Sequence, residues 1–420
     1  MGDPADAGGD RRPYRVVGFM TGDLGLGVAA RNTVQGLRAS GRPLEEVTIQ
    51  HRWAPGAAAE RPPGPVRPGE VTLFHMNPPD IAIYRAGWRR DVSPVGPAVC
   101  VPFWELPRVP VEWEPVLGAL DAVLAPTRFI AESCARAMPV ERVIHYPQAV
   151  FVPDAVPARE AWGFPAGTTV FLASFDIGSD IDRKNPWAAV EAFHRAFPAD
   201  ADVRLVLKTK PWRNVPALRA QVEELSARVA VDARIRILDR SLGYGELMSL
   251  YASCDILVAM HRSEGLGLHL MEAMSLGKPV VATGWSGNMD FMTPENSVPV
   301  RYALVPVRTR HDAYLRELGR DGQVWAEADV AHAADELRGL HASPARRRAL
   351  GLAAANEMEH RRRMLLAGAP FATLEAALPR VGARPAAFRR AVLRTRVSAS
   401  FGVLRRAPRA IARRLGLART

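Results

Sequence analysis

From residue 14 onward, short apolar runs of strand length alternate with stretches of helical spacing. Tyr14 to Met20 reads as a buried strand, Thr21-Gly22-Asp23 breaks it, and Val28 to Leu37 then carries a helical period until Gly41 stops it. Further strand-like runs follow at Val47–Gln50, Val71–His75, Ala98–Phe103 and Ala122–Ala125, with helical stretches such as Phe129–Met138 between some of them. Strands that alternate with helices in this way predict a mostly parallel sheet covered by helices on both faces.

Residues Phe151 to Gly167, with three prolines and a Gly-Phe-Pro turn, read as a linker, after which the cycle starts again. The second set of strands is expected at Val170–Phe175, Val203–Lys208, Ile235–Leu238, Ile256–Met260 and Val280–Ala282. Its helices are expected at Trp187–Phe197, Val215–Val229, Glu246–Ser253 and Leu268–Leu276. Beyond Val300 the pattern reads as helical, with Trp325–Leu340 and Pro344–Leu366 as the candidate helices. The resulting division is a disordered N-terminus over 1–13, a Rossmann-like domain over 14–150, the linker over 151–167, a second Rossmann-like domain over 168–340, helices over 341–379 and a tail over 380–420. Loops 51–69 and 77–95 are the places where specificity is expected to reside.

Charge changes this picture only at the tail. The chain has 420 residues and a formal charge of +11, but residues 380–420 hold twelve of the 55 basic residues and no acid, which leaves 43 basic against 44 acidic residues in the body. The folded domains are therefore electroneutral, and the overall charge says nothing about what they bind. In the tail, Phe388, Leu393, Val397, Phe401, Leu404, Ile411 and Leu415 alternate with arginines, a pattern suited to basic amphipathic helices on an anionic membrane surface. A solvated extension fits it equally well, and nucleic acid fits poorly because only two tail aromatics are available to stack. Three scattered cysteines give neither a disulfide framework nor a zinc site, and no run approaches the length of a membrane span. A cytoplasmic protein, peripheral on a membrane at most, is the expectation.

Only four of the basic residues are lysine: Lys184, Lys208, Lys210 and Lys278. In a chain this rich in arginine, a lysine marks a place where a compact ammonium is hard to exchange for a planar fork. Lys184 lies in Asp182-Arg183-Lys184-Asn185-Pro186, directly before a helix, and Lys208 ends the next strand. Both therefore fall at the carboxyl edge of the second sheet, where cations can neutralise a leaving diphosphate. The stretch Ser263-Glu264-Gly265-Leu266-Gly267-Leu268-His269-Leu270-Met271-Glu272 lies between a strand end and a helix start at the same edge. Its glycine turn offers free N–H groups to a diphosphate. Its two glutamates, at most about 12 Å apart on a helix, suit the hexose and ribose hydroxyls at the two ends of a nucleotide sugar. In the first domain, Gly25-Leu26-Gly27-Val28-Ala29-Ala30 is a G-x-G-x-x-A opening a helix after a strand. That motif also serves dinucleotides, and Glu45 or Glu46 lies at the offset of a ribose-binding acid, so an NAD-dependent oxidoreductase is the rival enzyme reading. A non-catalytic sugar-nucleotide-binding module is the third.

Residues Ser263–Glu272, continued by Ala273 to Thr283 and by Ser286-Gly287-Asn288, resemble the E-x7-E signature of family 4 glycosyltransferases, the retaining group 1 enzymes of the GT-B fold. Arg183-Lys184-Asn185-Pro186 resembles that family's phosphate-binding segment and Gly25–Asn32 its N-terminal glycine loop, within a similarity spanning roughly residues 14–340 that is looser in the first half. The resemblance implies two Rossmann-like domains facing a cleft and transfer of a hexose-type sugar from a nucleoside-diphosphate sugar to a hydroxyl acceptor. That acceptor is a glycan, a lipid-linked glycan or a small molecule. Transfer is expected with retention and without a metal or other cofactor. It further implies that Glu264, Lys184 and Arg183 are catalytic, with Glu264 on the sugar, and that Gly25, Gly27, Lys208, Gly265, Leu266 and Glu272 bind the donor, with Glu272 on the ribose.

Many members of that family carry a functional histidine in the N-terminal domain, where this chain has Pro102-Phe103-Trp104-Glu105-Leu106-Pro107. Either Trp104 or Glu105 lines the acceptor side, or that role is absent; His75, ending a strand, is a further acceptor-side candidate. Asp180-Ile181-Asp182 and Asp200-Ala201-Asp202 spell D-x-D but have no further ligands near them in sequence, so no metal site is expected there.

Overall fold

Two six-stranded parallel sheets form one after the other along the chain, in a computed structural model that describes residues 11–21, 25–49, 67, 69–85, 96–199, 202–212, 216–311 and 313–378. The first domain runs β1 (Tyr14–Gly18), α1 (Gly25–Ala39), β2 (Leu44–Thr48), β3 (Val71–His75), α2 (Pro78–Arg85), β4 (Ala98–Cys100), α3 (Glu114–Leu117), β5 (Ala122–Ala125), α4 (Arg128–Ala135) and β6 (Val143–His145). Its sheet order is β2-β1-β3-β4-β5-β6. The central strands β1, β3, β4 and β5 are buried at every position, which is why they read as continuous apolar runs rather than as alternation.

The second domain runs β7 (Thr169–Ser174), α5 (Ile181–Lys184), α6 (Pro186–Ala196), β8 (Val203–Thr209), α7 (Pro216–Val229), β9 (Ile235–Asp239), α8 (Tyr244–Ser253), β10 (Ile256–Ala259), α9 (Leu268–Ser275), β11 (Val280–Thr283) and β12 (Val298–Val300). Its order is β12-β11-β10-β7-β8-β9. This is the pair of Rossmann-like domains expected from the alternation. Between them, Phe151 to Gly167 has no helix or strand, but Trp162 and Phe164 within it are buried in the second domain's core, under Arg240 and Arg236.

Two expectations need correction. Trp325–Leu340 is not one helix: β13 (Tyr302–Pro306) pairs antiparallel with β14 (Val324–Ala328), and only then does α10 (Val330–Ala342) begin, capped by the Asp329 side chain accepting from the His332 N–H. The cause is tertiary. Trp325 is buried against the core of the first domain, together with Val305, Val307 and Tyr314, so the strand is held by contacts that a local pattern does not encode. Likewise the stretch 77–95 is not all loop, since α2 occupies Pro78–Arg85 and buries Ile81 and Ala82. Loop residues 50–66, 68 and 86–95, the N-terminal residues 1–10 and the tail 380–420 lie outside the described residues.

The chain then returns to the first domain. α11 (Pro344–Leu366) packs Gly351 on the Gly277 turn of the second domain, where a Cβ would come to 2.0 Å from the Gly277 carbonyl, and puts Leu365 against Gly36 of α1. α12 (Ala369–Ala377) sets Phe371 between Tyr14 and Tyr146, and its Glu375 accepts two hydrogen bonds from Arg42 at 2.8 and 3.0 Å. The last helices therefore tie the two domains together. No helix among the described residues is long and apolar enough to cross a membrane.

Candidate active site

In the second sheet, β7 and β10 are neighbours from which the chain moves off in opposite directions, to β8 on one side and β11 on the other. A crevice opens outside the carboxyl ends of such a strand pair, because the connections leave by opposite faces. The loop after β7 carries Arg183 and Lys184, and the loop after β10 carries Glu264.

Each loop is shaped by its own backbone chemistry. Asp180 takes φ +89°, a conformation it tolerates because its side chain accepts from the N–H groups of Asp182 and Arg183 at 2.9 and 3.3 Å and so starts α5. Asn185, at φ +48°, stops that single turn, and Pro186 begins α6 at a position where no N–H is needed. On the other arm, the Ser286 hydroxyl accepts from the Glu264 N–H at 2.9 Å, and the Gly287 N–H donates to the Glu264 carbonyl at 2.9 Å. Gly267, at φ +90°, turns the chain into α9.

These turns bring the sequence candidates to one cleft of about 430 Å³ between the domains. Lys184 Nζ lies 2.5 Å from Glu264 Oε1 and Arg183 Nη1 3.5 Å from the same oxygen. Burial opposes ionisation of Glu264, but Lys184 and then Arg183 overcome it and hold the carboxyl well below the ordinary range. Arg183 is buried in the wall of the cleft, donating to the carbonyls of Ser263 at 2.9 Å and Ser179 at 2.8 Å. Lys208 donates to the carbonyls of Thr209 and Arg240 at 2.7 and 2.8 Å; burial, and then Lys210, push its pKa down to about 8. Glu272 is buried in α9 beside Tyr244, and burial pushes its carboxyl up to about 7.

Gly25, Gly265 and Leu266 line the same cleft, and so does Glu105; Gly27 is buried within the first turn of α1 and is not among the lining residues. A Cβ on Gly265 would meet the Trp104 carbonyl at 2.8 Å, so the two domains touch backbone to backbone there. Trp104 itself points elsewhere: its indole N–H donates to the Arg108 carbonyl at 2.7 Å and its ring packs on Trp113 and Tyr314. His75 is fully buried behind the cleft-lining Phe103, 3.1 Å from the Thr33 hydroxyl, and burial pushes its pKa down to about 3. Of the acceptor-side candidates, only Glu105 faces the cleft.

Asp180 and Asp182 of the D-x-D sequence are occupied as a helix cap and as the partner of Arg310 at 3.0 Å. Asp200 lies outside the described residues. Lys210 pairs with Asp176 at 3.4 Å at the cleft, whereas Lys278 donates to the Ala252 carbonyl away from it. Glu46, one of the acids a dinucleotide ribose would need, is held by Arg38. Sequence reasoning missed Tyr244 and Tyr251 beside Glu272, the half-buried His269 beside Lys184, and Tyr314 on Glu105. His269 was visible inside the E-x7-E stretch; the tyrosines had no local signal.

The arrangement is thus a set of cations around one carboxylate on the loop after β10, with a second carboxylate on the helix α9 that follows. It can receive a doubly charged diphosphate at its centre and hydroxyl groups at either end.

Residues 170–340, which span the second domain, match the family described as glycosyl transferases group 1. No curated protein sequence matches the chain. Among solved structures, a sucrose-phosphate synthase from Thermosynechococcus elongatus is similar at 15% identity and a TM-score of 0.58, over 87% of this chain and 100% of that one. The Anabaena protein HepE is similar at 13% identity and a TM-score of 0.59, over 87% and 100%. A glycosyltransferase from Rickettsia africae is similar at 14% identity and a TM-score of 0.56, over 88% and 98%. These likenesses show the GT-B fold over both domains, and within it the second domain, residues 170–340, matches the glycosyl transferases group 1 family.

Proposed function

We propose that the protein transfers a hexose from a uridine-diphosphate sugar to a hydroxyl acceptor with retention of configuration at the sugar. The observation that carries this reading is the Lys184–Glu264 contact at 2.5 Å, with Arg183 at 3.5 Å and Lys208 lining the same cleft. Uridine is favoured by the HepE structure, which was solved in complex with UDP and glucose.

In this reading the second domain holds the donor. The diphosphate lies against Arg183, Lys184 and Lys208, Glu272 accepts from the ribose hydroxyls, and Glu264 and the Gly265-Leu266 turn hold the sugar. The acceptor enters from the first domain, past Gly25 and Glu105. The bond from the anomeric carbon to the diphosphate oxygen breaks while the acceptor oxygen bonds to that carbon on the same face, and the acceptor proton passes to the leaving diphosphate. The buried cations stabilise the charge that develops on the leaving group, and the closed cleft supplies positioning.

A screen of UDP- and GDP-sugars that reads released nucleoside diphosphate tests this. UDP release is expected from at least one hexose donor, undiminished by EDTA because side chains carry the positive charge. Release from no common donor contradicts the reading, and release from GDP-sugars alone contradicts the base assignment.

A pH dependence follows from two of the site's groups. Glu272, pushed up to about 7 by burial, must lose its proton to accept from the ribose, so donor affinity rises with pH up to that value. Lys208, pushed down to about 8, loses its charge above that value, so affinity falls again. Calorimetric titration of UDP is expected to give a maximum between about pH 7 and 8, with Glu272→Gln flattening the acid limb and Lys208→Met the alkaline one.

A further inference from the structure

Arg183 sits between two carboxylates that come from different domains. Glu264 belongs to its own domain; the other, Glu105, lies on the loop after β4 of the first domain, with Oε1 3.8 Å from Arg183 Nη2. A carboxylate at that place competes with a diphosphate for the same guanidinium, so its orientation matters. That orientation is set by a third residue. Tyr314 donates its hydroxyl to Glu105 Oε2 at 2.7 Å and lies with its ring 6.0 Å from the Arg183 guanidinium carbon. Burial, and then the Glu105 charge, keep this phenol protonated against the opposing pull of Arg183, so it remains a donor.

Tyr314 is delivered by the connection between β13 and β14, which braces both sides of the cleft. On the first domain, Gln323 accepts from the Arg108 N–H and donates to the Arg108 carbonyl, and Tyr314 packs on Trp104. On the second, the Thr309 hydroxyl donates to Asp180 Oδ2 at 2.7 Å and Arg310 donates to Asp182 at 3.0 Å. Asp180 and Asp182 belong to the very turn that presents Arg183 and Lys184.

Resting on the donor-site reading above, we propose that Tyr314 is a positioning residue that acts through Glu105: by occupying one carboxylate oxygen it holds Glu105 back from Arg183 and keeps that guanidinium available to the donor diphosphate. Without the hydroxyl, Glu105 is free to close the 3.8 Å gap and pair with Arg183, cancelling the charge the diphosphate needs. The signs are then opposite for the two partners. Removing the hydroxyl weakens diphosphate binding, whereas removing the Glu105 charge relieves the competition.

A double-mutant cycle on UDP affinity tests this, by calorimetry on the full chain, with thermal unfolding of each variant as a check on folding. Tyr314→Phe is expected to weaken UDP about fivefold, Glu105→Gln to leave it equal or tighter, and the double variant to match Glu105→Gln. A merely structural tyrosine would weaken UDP equally in both backgrounds, and that additive result overturns the proposal, as does unchanged affinity in Tyr314→Phe. If Tyr314→Phe unfolds, Glu105→Gln alone decides: weaker UDP binding overturns the proposal and equal or tighter binding supports it. A wild-type chain that binds neither UDP nor GDP removes the donor-site reading itself and this proposal with it, an outcome distinct from the additive cycle.

Discussion

Lys184→Ala is expected to lower kcat by about 10²–10³-fold, the cost of deleting one well-placed group that stabilises charge in a transition state. Two effects add in the same direction. The ammonium 2.5 Å from Glu264 is the cation nearest the carboxylate, so in the proposed transfer its loss removes charge where the leaving diphosphate would develop it. It also leaves a buried Glu264 with Arg183, at 3.5 Å, as its remaining close cation, which raises the carboxyl's pKa from its depressed value. Lys184→Arg is expected to recover only a small part of the rate, because a planar fork does not fit a site built for a compact ammonium. Steady-state kinetics with the preferred donor check this, and a kcat within threefold of wild type in Lys184→Ala contradicts it.

Gly287→Ala is expected to abolish donor binding and to destabilise the second domain by about 3 kcal/mol or more. A Cβ at this position would stand 1.9 Å from the Gly265 carbonyl oxygen and 2.9 Å from that of Glu264, both backbone atoms that a rotamer change cannot move aside. The Gly287 N–H also holds the Glu264 carbonyl, so any displacement moves the loop that carries Glu264. Gly243→Ala is the control, since nothing lies within 4 Å of its added Cβ. Thermal unfolding and UDP calorimetry on both variants read the two effects. Wild-type UDP affinity in Gly287→Ala would show that this turn does not shape the site.

What the sequence made legible follows from where each contact is made. Glu264, Glu272, Arg183 and Lys184 lie on loops and helix starts that follow strands of the same domain, so the strand–loop–helix pattern placed them at one sheet edge. The scarcity of lysine separated Lys184 and Lys208 from 51 arginines, and both line the cleft. Lys278 shows the weakness of that signal, because its ammonium donates to the Ala252 carbonyl and does not line the cleft.

The first domain's contribution was harder to read. Trp104 and Glu105 are adjacent in sequence, and only the packing of the indole on Trp113 decides which of them faces the cleft. The β13–β14 pair was unreadable for a related reason. β13 is largely exposed, and the burial that fixes Trp325 and Tyr314 is supplied by the other domain. Tyr314 meets Glu105 across 209 positions of sequence, a pairing that no local period or motif contains.

The measurement that bears most directly on the central claim is NMR of the sugar released or transferred from a UDP-hexose, run beside Lys184→Ala. The expected result is UDP release with the sugar emerging in the donor's own anomeric configuration, and near-complete loss of release in the variant. Inverted product, or release that survives Lys184→Ala undiminished, would contradict a retaining transfer driven by these cations.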